Sequence, residues 1–140
     1  MPICSDRAWN NFVMNSSPAS YEAGSIRHAA AIANLFMGGA NNGGLNSFLT
    51  STYDLDGSEV VSALRDLGAS EAAHQLEVVL QGLGVPVPAS TQNERWNLLE
   101  KQWHDGLDEY DVLSEEADSE LLAVLESYVA ANEDFYSHLD

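Results

Sequence analysis

Apolar residues recur at three- and four-residue spacing along nearly the whole chain, and this period decides what the chain can become. Val60, Val61, Leu64 and Leu67 fall on one helical face. Ala73, Leu76, Val79, Leu80 and Leu83 fall on another, and Leu121, Leu122, Leu125, Tyr128 and Val129 on a third. Such spacing marks amphipathic helices, whereas a half-buried strand alternates with period two. Strand signals are weak: Val85-Pro86-Val87-Pro88 is β-branched, but its prolines remove the donors that a sheet ladder needs. No segment repeats with a period of roughly 20–50 residues. The chain has 140 residues, 45% of them hydrophobic, enough for one sizeable core. The expected fold is all-α: a single compact, bundle-like domain over 1–140 with about six to eight helices. Residues 1–20 read as a peripheral N-terminal segment.

Local signals predict where the helices start and stop. Ser5 or Asp6 caps a short helix carrying Trp9, Phe12 and Val13 on one face. Residues 15–20 read as a loop, and Ser20 as the cap of the next helix. Its stripe is Ile26, Ala29, Ala30, Ala33, Phe36 and Met37, whose small residues admit a close neighbour. Gly38-Gly39 and Asn41-Asn42-Gly43-Gly44 are expected to stop it, with a short helix over Leu45–Leu49 to follow. Asp56 followed by Glu59 has capping-box spacing, and so does Thr91 followed by Glu94. The first opens the Val60–Leu67 helix, which Gly68 closes; the second opens a helix with Leu98, Leu99 and Trp103. Ser70 reads as the cap of the helix between them, which Gly82, Gly84, Pro86 and Pro88 end in a stiff connection. Ser119–Ala131 is expected to be the last long helix, with a final turn or two over 133–139.

Charge is distributed as unevenly as the helices are evenly. The chain holds 22 acidic residues against 5 Lys and Arg, a formal net charge of -17. Residues 1–50 are neutral, with Asp6 and Glu22 against Arg7 and Arg27. Residues 51–104 carry eight acids and three bases, and residues 105–140 carry twelve acids and no base. Direct binding to nucleic acid needs Lys and Arg to neutralise phosphates, so it is disfavoured. An anionic membrane surface is disfavoured for the same reason. A basic partner is the natural expectation. Surface-wide salt adaptation would spread the acids over the whole chain.

Other chemistry finds little support. The single cysteine, Cys4, excludes an internal disulfide framework and a cysteine-based zinc site. The first residues lack the basic and apolar regions of a signal peptide. The apolar run Ala29–Met37 is too short to span a bilayer, and a cytoplasmic location is expected. His28, His74, His104 and His138 show no i, i+4 pair and no His-Glu-x-x-His motif. The Gly-rich stretch 38–44 is followed by no Lys-Ser or Lys-Thr, so it reads as helix punctuation rather than a phosphate loop. Asp54-Leu55-Asp56-Gly57 hints at a calcium loop, but position twelve is Arg65 where a Glu is needed. No catalytic residue, metal ligand or cofactor is assigned.

The acidic segment is the strongest signal that remains. It contains Asp105, Asp108, Glu109, Asp111, Glu115, Glu116, Asp118 and Glu120, with Glu126 one stretch further on. If helical, Asp105/Glu109, Asp111/Glu115 and Glu116/Glu120 are like-charge i, i+4 pairs, each costing a few tenths of a kcal/mol. A local cost without local return points to function. Duplex DNA places its phosphates a few Å apart along each strand, and carboxylates on a rigid frame approximate that spacing. An ordinary solvated acidic face explains the same residues. Asp54, Asp56, Glu59, Asp66, Glu71 and Glu77 form a secondary set of acids.

Three blocks of residues resemble a known family. They are Asn42-Gly43-Gly44-Leu45-x-x-Phe48-Leu49, then Ala63-Leu64-x-x-Leu67-Gly68-Ala69, then Leu121-x-x-x-Leu125-x-x-Tyr128-Val129-x-x-Asn132-x-x-Phe135. Their order and spacing are similar to those of a family of small acidic helical proteins named after DNA mimic protein nineteen. Leu45 stands where that family usually has an aromatic residue. The resemblance implies an all-α fold, often dimeric. It also implies an activity: occupying the DNA-binding face of a basic protein, such as a helix-turn-helix regulator or a nucleoid protein, and so excluding DNA. Asn42, Gly43 and Gly44 read as structural. Two alternatives stand beside it. One is an acidic immunity or antitoxin-like inhibitor of a basic nuclease or toxin. The other is a metal-dependent enzyme built on the 105–120 carboxylates with His104.

Overall fold

The computed structural model describes residues 4–51 and 55–139. Among them are seven α-helices, two 3-10 turns and no strand. The helices are α1 (Asp6–Asn15), α2 (Ile26–Leu49), α3 (Gly57–Leu67), α4 (Ser70–Leu83), α5 (Gln92–Gln102), α6 (Glu115–Ala131) and α7 (Glu133–Ser137). The 3-10 turns are Pro18–Ser20 and Asp105–Tyr110. The expected all-α class and compact domain are what forms.

Helix α2 is the axis of the domain. Ala29, Ala30, Ala31, Ile32, Ala33 and Phe36 are all buried, so its first half is surrounded rather than amphipathic. It packs on α3 and α6, α4 packs on α3 and α6, and α1 packs on α6 and α7. Leu64, Leu76, Leu121 and Leu125 are fully buried where these helices meet. The N-terminal segment is part of this body. Phe12 is fully buried, its ring edge-on to Tyr136 at 5.3 Å. Asn11 Nδ2 donates to the Tyr136 carbonyl at 2.9 Å and Arg7 Nε to the Ser137 carbonyl at 2.8 Å. Burial of α1 thus joins it to α7, the last described helix.

Capping follows sequence in most places. Ser5, Asp56 and Thr91 each accept a hydrogen bond from the backbone amide three residues on. Gly68 and Gly84 close α3 and α4 in the left-handed region. Other expectations need correction. Ser25, not Ser20, caps α2, because Ser20 is taken up in the preceding 3-10 turn. Gly38 and Gly39 do not stop α2: the apolar burial on either side outweighs a penalty of about 1 kcal/mol per glycine. The break comes at Gly44, whose φ of 92° and ψ of 176° interrupt the helix before the expected turn at 45–49. Ser70 is the first residue of α4, and Ala69 at the cap position offers no side-chain bond. The last long helix begins at Glu115, four residues earlier than expected, because Ser114 Oγ accepts from the Ala117 amide at 3.1 Å. Val13 and Leu122 point to solvent rather than inward.

Candidate functional site

The acidic segment is not one helix. Asp105–Tyr110 is a 3-10 turn, Asp111–Ser114 is an irregular bend, and Glu115 opens α6. This changes the expected charge pairing. In a 3-10 turn residues three apart eclipse, so Asp105 lies over Asp108 rather than Glu109. Asp111 and Glu115 stand on opposite sides of the bend. Only Glu116 and Glu120 remain an i, i+4 helical pair. The expected absence of local compensation is also corrected. Glu115, Glu116 and Asp118 occupy the first turn of α6. There the positive end of the helix dipole favours each carboxylate by about 0.3–1 kcal/mol.

The segment forms a strap held by neighbours far away in sequence. The Gln75 side chain, buried in α4, grips it three times. Its Nε2 donates to the Tyr110 carbonyl at 2.8 Å and to the Val112 carbonyl at 2.7 Å. Its Oε1 accepts from the Ser114 amide at 3.0 Å. Leu107 and Leu113 are buried beneath the strap. Gly82 lets Leu107 lie close, since a Cβ there would collide with the Leu107 side chain. His104 is engaged with the Gly82 carbonyl at 3.1 Å, which gives this histidine a structural contact.

Four of the nominated acids serve the fold. Asp111 bridges to the break in α2: its carbonyl accepts from the Leu45 amide at 2.7 Å and its Oδ1 from the Asn46 amide at 2.8 Å. These amides open the turn after Gly44, so Asp111 acts as an N-cap supplied from another part of the chain. Glu120 does the same for α4, accepting from the Glu71 amide at 2.8 Å. Asp108 accepts from the Trp103 indole at 2.9 Å and Asp118 from the Asn41 side chain at 3.1 Å.

Asp105, Glu109, Glu115 and Glu116 are exposed and accept no hydrogen bond from the described residues. Glu71 adds a fifth exposed carboxylate, brought to α6 by the Glu120 bond to its amide. These side chains, at the turn 105–110 and the facing ends of α4 and α6, form the candidate surface. Glu126 is not among them. It is ten residues, or about 15 Å, beyond Glu116 along α6, and together with Glu133 it raises the Cys4 thiol pKa. Burial is the largest cause of that rise, which leaves Cys4 protonated and a poor nucleophile. The secondary acids are scattered: Asp56 caps α3, Glu59 sits in its first turn, Asp66 is exposed at its far end and Glu77 pairs with Arg65 at 2.8 Å. Asp54 lies outside the described residues.

Every arginine is occupied internally. Arg7 and Arg65 have the partners given above, and Arg27 lies over the Phe135 ring at 3.6 Å. Arg95, buried in α5, donates to the carbonyls of Pro88, Ser51 and Leu55. The one lysine, Lys101, is exposed in the last turn of α5, and residues 105–140 themselves carry no base. Among the described residues no three His, Cys, Asp or Glu side chains are grouped to hold a metal ion. No described helix is long and apolar enough to cross a membrane.

Sequence reasoning did not foresee the roles of Gln75, Asp111 and Glu120, since nothing local marks them. Asn42-Gly43-Gly44 was legible as structural. Gly44 is the residue that matters there: a Cβ would stand 2.5 Å from Asp111 Oδ2. Comparison with known proteins bears on the same region. Searches of curated proteins and of solved structures each gave no significant match. A family model described as DMP19-like protein matches residues 25–136, from the start of α2 to α7. That span holds the Gly44 break, the strap and every contact that fixes it, and the chain belongs to the DMP19-like protein family.

Proposed function

We propose that this protein is a DNA mimic. It acts as a binding protein rather than an enzyme, covering the DNA-binding surface of a basic partner such as a helix-turn-helix regulator or nucleoid protein. One observation carries the reading: the base-free strap presents unpartnered carboxylates on a backbone fixed in advance by Gln75 and Asp111. A fixed array costs little ordering entropy on binding. It also gives a field that speeds association with a cationic surface. Membership of the DMP19-like family supports the same reading.

The test uses purified helix-turn-helix regulators and histone-like nucleoid proteins, with duplex DNA as competitor. The expected result is a complex that duplex DNA dissociates and that weakens steeply between about 50 and about 200 mM salt. Changing Glu109, Glu115 and Glu116 together to Lys should abolish it while the helical circular dichroism is kept. A complex that saturating DNA leaves intact, or an unchanged affinity after charge reversal, overturns the reading. Displaceable binding to a basic nuclease, with loss of its activity, would favour the inhibitor alternative instead.

A further inference from the structure

The acidic strap has an apolar centre. Val112 is 71% exposed, although Gln75 grips the carbonyls of Tyr110 and Val112 and so fixes the backbone that carries it. Beside it lies a cleft of about 250 Å³ between α4 and the strap. Each wall offers the same chemistry. The α4 wall has Glu71, His74 and Val78; the strap wall has Glu109, Tyr110 and Val112. A slot with apolar and aromatic sides and a carboxylate from each wall suits a long apolar stem ending in a planar cation. An arginine side chain has that form: its methylenes lie against apolar surface, its guanidinium stacks on aromatic rings, and its fork of N–H donors pairs with a carboxylate. Lysine, a compact and strongly hydrated point charge, gains less.

We infer that this cleft receives one arginine side chain of the basic partner, much as a narrowed minor groove of DNA does. A narrow groove attracts arginine through enhanced negative potential, and the cleft sets two carboxylates about an apolar slot to the same end. The inference rests on the DNA-mimic reading and adds a partner residue and a specificity determinant, Val112, to it. The phosphate-like carboxylates then supply salt-sensitive attraction, and the slot discriminates among cationic surfaces.

The test titrates the whole protein with two peptides of equal length and charge, alternating Gly-Arg and alternating Gly-Lys. Backbone amide shifts of Glu109, Glu115 and Glu116 report strap binding. The expected result is a preference of about three- to tenfold for the arginine peptide, accompanied by shifts of the Val78 and Val112 methyl groups. That preference should vanish in Val112→Ser and shrink in Glu71→Gln, two exposed positions whose substitution leaves the helical dichroism intact. Equal binding of the two peptides, or an arginine preference that survives Val112→Ser, overturns the inference and leaves the mimic reading standing. Failure of both peptides to move the strap amides at low salt overturns the mimic reading and the inference with it.

Discussion

Asp111 Oδ1 accepts a 2.8 Å hydrogen bond from the Asn46 amide, and through it the acidic strap holds the broken end of α2. A carboxylate that sequence would assign to the surface is thereby a cap. Replacing a capping side chain by alanine costs about 0.5–2 kcal/mol. Asp111→Ala should fall in the upper half of that range in urea denaturation, because the carboxylate also faces the helix dipole. Asp111→Asn keeps an acceptor oxygen and should cost less. Equal stability of the alanine variant and the parent would remove the cap from the account.

Gly44 faces the same carboxylate from the other side. Its φ of 92° and ψ of 176° belong to a region that only glycine enters freely, with a cost of about 1–3 kcal/mol for other residues. A Cβ would add a clash at 2.5 Å with Asp111 Oδ2. Gly44→Ala should therefore lose at least about 2 kcal/mol. Part of that loss should return when Asp111→Ala is combined with it, since the clash disappears. Strict additivity in the double-mutant cycle would show that the two residues do not meet.

Gln75 is the test of preorganisation. Gln75→Leu removes three part-buried hydrogen bonds to the strap and leaves the Tyr110 and Val112 carbonyls and the Ser114 amide without this partner. A loss of about 1–2 kcal/mol is expected, since water reaches part of the freed groups. Hydrogen exchange should quicken across 108–114 and stay unchanged in α1 and α7. Exchange rates rising equally everywhere would mean that Gln75 supports the whole core rather than the strap.

Alkaline pH should act on the opposite end of the molecule. Burial is the main cause that raises both Tyr128 and Tyr136 above the ordinary phenol range, and their hydroxyls lie 2.8 Å apart. The folded protein therefore holds protons that the unfolded chain releases near pH 10. Stability from this pair is complete below about pH 10 and is lost as pH rises toward the folded values. Tyr136→Phe should reduce the alkaline loss, read as a higher midpoint pH of unfolding. An unchanged midpoint in the variant would assign alkaline unfolding to other groups.

The helical class, the caps at Ser5, Asp56 and Thr91, and the stop at Gly68 were legible because each rests on residues within a turn of one another. The glycine pair at 38–39 misled for a tertiary reason: burial around Ile32, Phe36 and Ala40 carries α2 through it. The acidic segment was legible as composition but not as conformation. A like-charge helix does not form there, because the Gln75 side chain and the Leu45 amide bind the backbone of 110–114 in a shape that no local signal specifies.

By itself the sequence determined the helical period, the base-free charge of the last quarter and the local helix ends. These follow from side-chain spacing and from groups three or four residues apart. Only the tertiary structure decided which carboxylates are free. Asp111 reaches Asn46 across 65 residues and Glu120 reaches Glu71 across 49. The cost of closing such loops is repaid only when the core has formed around Leu76 and Leu121. A carboxylate at that distance becomes a cap or a surface charge according to which backbone amides the packed helices leave open beside it.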